Sequence, residues 1–185
     1  MKKYLILLSL LGFFITFFQL HQLSQNFNLR EQCSANALFI NFSMLQVQTT
    51  ENPAEFIKLK DCMTPQALDS VIESLRIDYF FMPFCYGYII LGCHGASLLA
   101  GKFLKRFFSL LITFPAAAWI FDLVENIYHE KWLTNFPIDE KVFEVVHYLI
   151  LAKFALALFA FIVSITYLIF KSLSIIKRKK VMWQD

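Results

Sequence analysis

Trp119-Ile120-Phe121-Asp122-Leu123-Val124-Glu125-Asn126-Ile127-Tyr128-His129 is the stretch that decides how this chain folds. It closes an apolar run that begins at Phe107 and is long enough to cross a bilayer. Asp122, Glu125, Asn126 and His129 fall at i, i+3, i+4 and i+7, so on a helix they share one face. A carboxylate at the centre of a membrane helix costs about 2.5–3.5 kcal/mol on insertion scales, so such groups turn towards partners and away from lipid. The stretch therefore reads as a membrane helix with an inward polar stripe.

The rest of the chain supports a membrane setting. It has 185 residues, of which 58% are hydrophobic and 17% aromatic, and a mean hydropathy of +0.56; a water-soluble domain of this size would not be so apolar. Four long apolar runs stand out, Tyr4–Leu20, Phe80–Ala100, Phe107–Ile127 and Val142–Phe170. The spacing predicts an all-α integral membrane protein: a four-transmembrane-helix bundle with spans at about 4–20, 80–100, 107–127 and 146–170. Residues 1–185 are expected to form a single membrane domain, with no room among them for a separate soluble catalytic domain. The net charge of +3 sits at membrane flanks and gives no reason to expect nucleic acid; the lipid bilayer is the first partner.

Lys2-Lys3 and the apolar run behind them could be a cleaved leader or a retained helix. His21-Gln22-Leu23-Ser24-Gln25-Asn26 lacks a small-x-small cleavage pattern, so a retained first helix is expected. Residues 21–76 then form a polar outer loop between helices 1 and 2. Within it Thr64-Pro65 reads as the cap and first residue of a helix. Leu68, Val71, Ile72 and Leu75 make an apolar stripe along 65–76, and this amphipathic helix should run straight into the second span. Gly87, Gly92 and Gly95 should let that span approach its neighbours closely. A turn from His129 to Lys141 follows the third span, with Trp132 as an interface aromatic.

Charge distribution orients the chain. Lys2-Lys3, Lys102/Lys105/Arg106 and Lys177-Arg178-Lys179-Lys180 share one side of a four-span arrangement, which places both termini in the cytoplasm. A multi-pass protein of the bacterial inner membrane is expected in preference to one of the endoplasmic reticulum. Cys33 and Cys62 then lie on the outer, oxidising side, where a disulfide would close a loop of about thirty residues. Cys85 and Cys93, eight apart inside a span, lack the redox CxxC spacing and read as packing residues.

The same topology sets depth. Asp78, the Asp122–His129 stripe, Glu144, His147 and Lys153 all fall in the outer half of the membrane. Asp122 lies about 7–8 Å below the end of its run, and Lys153 reaches a similar depth. On the plainer reading Asp122 and Lys153 form an ion pair, and the cluster serves structure or interaction with a membrane-protein partner. On the sharper reading it is a membrane-embedded enzyme site for a lipid or other amphipathic substrate, entered from the outer leaflet. Glu125, His147 and Asp122 are the catalytic candidates there. Asp78, Asp122, Glu125 and His147 are the candidate ligands for a divalent metal such as zinc. A small transporter or an accessory subunit is a further alternative.

Overall fold

A computed structural model describes the backbone of residues 2–29 and 43–181 and the side chains of 11–29 and 43–175. The elements are α1 (Lys2–Ser24), α2 (Met44–Thr49), α3 (Pro53–Cys62), α4 (Pro65–Leu99), α5 (Lys102–Leu111), α6 (Thr113–Leu133) and α7 (Glu140–Val181). Among the described residues there is no β-strand, only an isolated bridge between Leu29 and Met63. Three helical stretches are long and apolar enough to cross a membrane: Pro65–Leu99, Lys102–Leu133 and Glu140–Ile175. The middle one joins α5 to α6 through Ile112, whose φ of −60° and ψ of −28° remain helical. α1 lies along α4, where the ring of Phe84 covers Gly12 so closely that a Cβ there would come within 2.5 Å of it.

Local chemistry explains the helix ends. Thr64 Oγ1 accepts from Ala67 N–H at 3.2 Å and Pro65 follows at the first helical position, which satisfies an orphan donor and pre-sets φ. From there α4 runs unbroken for 35 residues, with Pro83 accommodated inside it. α3 starts in the same way, with Asn52 Oδ1 accepting from Glu55 N–H at 2.9 Å. α6 ends in a left-handed cap. Asn135 has φ of 74°, and Phe136 N–H reaches back to Lys131 O at 2.9 Å, the six-to-one closure of a helix C-terminus. Lys60 reinforces it from α3, donating to Trp132 O at 2.8 Å and Asn135 Oδ1 at 2.7 Å. A cation there meets the negative end of the helix dipole. Partial burial lowers the pKa of that ammonium from its ordinary value, against an opposing pull from Asp61.

One end of the bundle carries an apolar cap of the kind found in soluble proteins. Val47 of α2, Phe56 and Leu59 of α3, Val71 and Leu75 of α4, Trp132 of α6, and Phe143 and Val146 of α7 are all buried in it. Trp132 is therefore not the interface aromatic expected from its position. α6 continues to Leu133 before turning, α3 lies over it, and the indole is 2% exposed. It stands 5.0 Å from the Phe143 ring and 5.9 Å from that of Phe56. The turn to α7 is shorter than the expected 129–141 for the same reason. The bundle is thinner at its other end, where Cys93, Ala96, Phe108, Leu111 and Ala160 pack together.

The glycine expectation divides. A Cβ on Gly92 would stand 3.4 Å from Ser164 Oγ of α7 and one on Gly95 3.9 Å from Leu168, whereas one on Gly87 would meet nothing within 4 Å among the described residues. Gly87 makes no close helix approach among those residues. Cys33 lies outside the described residues; Cys62 is buried at the end of α3.

Since Trp132 joins α3, α6 and α7, Trp132→Ala should cost about 3–5 kcal/mol of stability. Thermal unfolding in detergent should show a lower midpoint, and limited proteolysis should cut faster between α2 and α4. An unchanged melt and cleavage rate would show that the cap does not hold the helices.

Candidate functional site

The polar stripe of α6 is buried inside the bundle. Asp122, Glu125, Asn126 and His129 have relative exposures of 6, 0, 0 and 1%. Successive stripe positions sweep slightly around the helix, so the stripe meets more than one neighbouring element.

Towards α7 the partner is Lys153, itself 3% exposed. Its Nζ lies 2.5 Å from Asp122 Oδ1 and is also in ion contact with Glu125 Oε2. Towards α4, Tyr86 Oη donates to Asp122 Oδ2 at 2.9 Å, and Asn126 Nδ2 donates to Asp78 Oδ2 at 2.8 Å. A more exposed pair, Arg76 Nε and Glu130 Oε1 at 2.8 Å, continues this antiparallel register. Towards the cap, His129 Nδ1 is 3.1 Å from its own helix's Glu125 carbonyl, and the ring also bonds to the Val47 backbone. Phe56 and Trp132 pack on that ring at centroid distances of 5.7 and 5.6 Å. The stripe thus links α4, α7 and the cap through a single helix.

Two carboxylates, Asp122 and Glu125, hold one ammonium, and a third, Asp78, is bound to the neighbouring Asn126. Away from water such charges interact strongly and must be paired. The pairing is incomplete. Glu125 Oε1 and Asn126 Oδ1 are buried without a hydrogen-bond partner among the described residues; Glu125 Oε1 is 4.0 Å from His129 Nδ1, too far for a bond.

A cleft of about 650 Å³ opens beside this cluster. Asp78, Cys85, Tyr86, Asp122 and Lys153 form its polar part. Leu20 of α1, Phe81, Met82 and Ile89 of α4, and Phe154 and Ala157 of α7 form an apolar wall. Ser24, Ser43 and Gln48 line it from the side of the cap.

Of the residues marked in the sequence, Asp78, Asp122 and Lys153 reach the cleft, and Asp122, Glu125 and Lys153 meet one another. Glu125 sits behind Lys153 and does not line the cleft. His147 is half-buried, its ring 6.3 Å from that of Tyr148. It makes no hydrogen bond or ion pair with the cluster among the described residues, and its Nδ1 has no partner there. Among the described residues no three His, Cys, Asp or Glu side chains are placed to hold a metal ion. Asp78, Asp122, Glu125 and His147 therefore do not assemble as a ligand set, and the facing oxygens of Asp122 and Glu125 are taken by Lys153. Tyr86 and Cys85 belong to the site without having been marked in the sequence. The available signal was spacing: Tyr86 is eight residues, just over two helical turns, from Asp78 and shares its face.

No protein-family model, curated protein or solved structure matches the chain.

Lys153→Met should be severe, because it strands two buried carboxylates; about 3–5 kcal/mol is expected. Adding Asp122→Asn and Glu125→Gln to that variant should recover most of the loss, since the stranded charges go too. Midpoints of unfolding in detergent, compared across the series, report this. A single variant as stable as the parent, or a triple variant no better than the single, would contradict the pairing.

Proposed function

We propose that this is a small polytopic membrane protein that holds an amphipathic, lipid-like molecule in the cleft between α1, α4 and α7. The polar end lies by Asp78, Asp122 and Lys153, and the apolar chain runs along Phe81, Ile89, Phe154 and Ala157. The observation that carries this reading is the cleft. Ion pairing alone would need only dry contacts, whereas a volume of about 650 Å³ with a polar end and an apolar wall suits a bound amphipath. Glu125, fully buried and away from the cleft, acts as a structural fastener together with Lys153. The catalytic roles considered for Glu125 and His147 gain no support from this arrangement, since neither residue lines the cleft.

In this reading α1 is a fourth span and both termini are cytoplasmic, with the three basic clusters on one side. The cap built by α2 and α3 then faces the outer side of a bacterial inner membrane. That side is oxidising, which suits a bond between Cys33 and Cys62.

Ala157→Phe tests the cleft by filling its apolar wall. Native mass spectrometry from mild detergent should find lipid-mass adducts on the parent protein, with occupancy reduced roughly tenfold in the variant at an unchanged circular dichroism spectrum. Adducts absent from the parent, or equal on both proteins, would remove the binding reading. The topology has its own test. A reporter fused to the C-terminus should read as cytoplasmic, and alkylation of unreduced, denatured protein should modify Cys85 and Cys93 but spare Cys33 and Cys62. A reporter on the outer side would invert the orientation, and modification of all four cysteines would remove the bridge.

A further inference from the structure

We propose that the cleft selects an amphipath whose polar end is positively charged, an ammonium headgroup seated against Asp78. This rests on the reading of the cleft as a ligand site and adds the chemical class of the ligand.

The argument is an inventory of what each charged group still has to offer. Among the residues lining the cleft, Asp78, Asp122 and Lys153 are the charged ones. Lys153 is committed to Asp122 and to Glu125 behind it. Both oxygens of Asp122 are engaged, Oδ1 by Lys153 at 2.5 Å and Oδ2 by the Tyr86 hydroxyl at 2.9 Å. Asp78 differs. Asn126 holds its Oδ2 at 2.8 Å, and its other oxygen has no hydrogen bond among the described residues. The group left to receive a ligand is therefore a carboxylate.

The surrounding charge agrees. An anionic headgroup would meet Asp78 and Asp122, with Glu125 close behind, and the one ammonium available to it already serves two carboxylates. A cationic headgroup would offset the excess negative charge of the cluster, in surroundings where water screens little. Of the aromatic residues in the lining, Phe154 already has Lys153 Nζ over its ring at 4.9 Å, while Phe81 and Tyr86 add rings of a kind that favours a cation.

Cys85 lines the same cleft and carries a free thiol, which makes it a reporter, while the free thiol of Cys93 is buried elsewhere and provides a reference. The experiment follows N-ethylmaleimide modification of Cys85 by peptide mass spectrometry on the full chain in dodecyl maltoside. Dodecyltrimethylammonium, dodecanol and dodecanoate are added in turn, each below its micellar concentration. These probes share a chain and differ in headgroup charge. The cation should slow modification of Cys85 roughly tenfold at a concentration where the other two change it little, and Asp78→Asn should abolish that difference. Equal protection by all three would overturn the charge selection and leave the binding reading intact. Stronger protection by dodecanoate would make Lys153 the anchor and overturn the proposal. Protection by none would remove both readings. A preference for the cation that survives in Asp78→Asn would refute the role of Asp78; should that variant not fold, the ranking of the three probes on the parent protein decides.

Discussion

The ammonium of Lys153, held between Asp122 and Glu125, is the constraint on which the other contacts depend. A lysine in an otherwise apolar helix cannot face lipid without a large penalty, and a carboxylate on the neighbouring helix is in the same position. Each is tolerable only where the other is found. The pair therefore fixes how α6 and α7 are rotated towards each other as well as how far each is shifted along its axis. Asp122 then passes the constraint to α4 through Tyr86, and Asn126 repeats it one turn away through Asp78. Hydrophobic burial cannot give this specificity within a bilayer, because lipid chains are as apolar as leucine.

Beyond the polar stripe, the same helix enters a region governed by different physics. Past His129, α6 leaves its ionic partners and joins the apolar cap through Trp132 and Leu133. There the association of rings and branched chains is driven by exclusion of water. His129 stands at the boundary, with its ring packed among aromatics and its Nδ1 3.1 Å from the Glu125 carbonyl of its own helix. Lys60 closes the arrangement by satisfying the exposed carbonyl end of α6.

Much of the helical frame is legible in the sequence. Hydropathy alone marks the three long helices, and Thr64-Pro65 marks the start of one of them, because capping is a local matter between neighbouring residues. Level along the bundle is legible too, since counting residues from a helix end sets it, and Asp122 and Lys153, which meet, can be matched that way. Azimuth is where such counting fails. His147 and Lys153 are six residues apart, which at about 100° per residue puts them about 120° apart around the helix, so His147 turns away while Lys153 turns inward. The burial of Trp132 cannot be read locally because it depends on α3, which lies over it from a distant part of the chain. The cleft is hidden from the sequence for the same reason: its lining comes from α1, α2, α4, α6 and α7, and no local pattern announces such a meeting.

The composition of the cap has a consequence for the order of assembly. Val47, Phe56, Leu59 and Met63 precede α4 in the chain, yet the surfaces that bury them include Trp132, Phe143 and Val146 near the other end. Lys60 finds its acceptors more than seventy positions downstream. During synthesis this early segment must wait, without a core of its own, until α6 and the start of α7 have emerged. The portion translated early is thus completed only by residues translated much later, and the cap closes once the start of α7 has joined it.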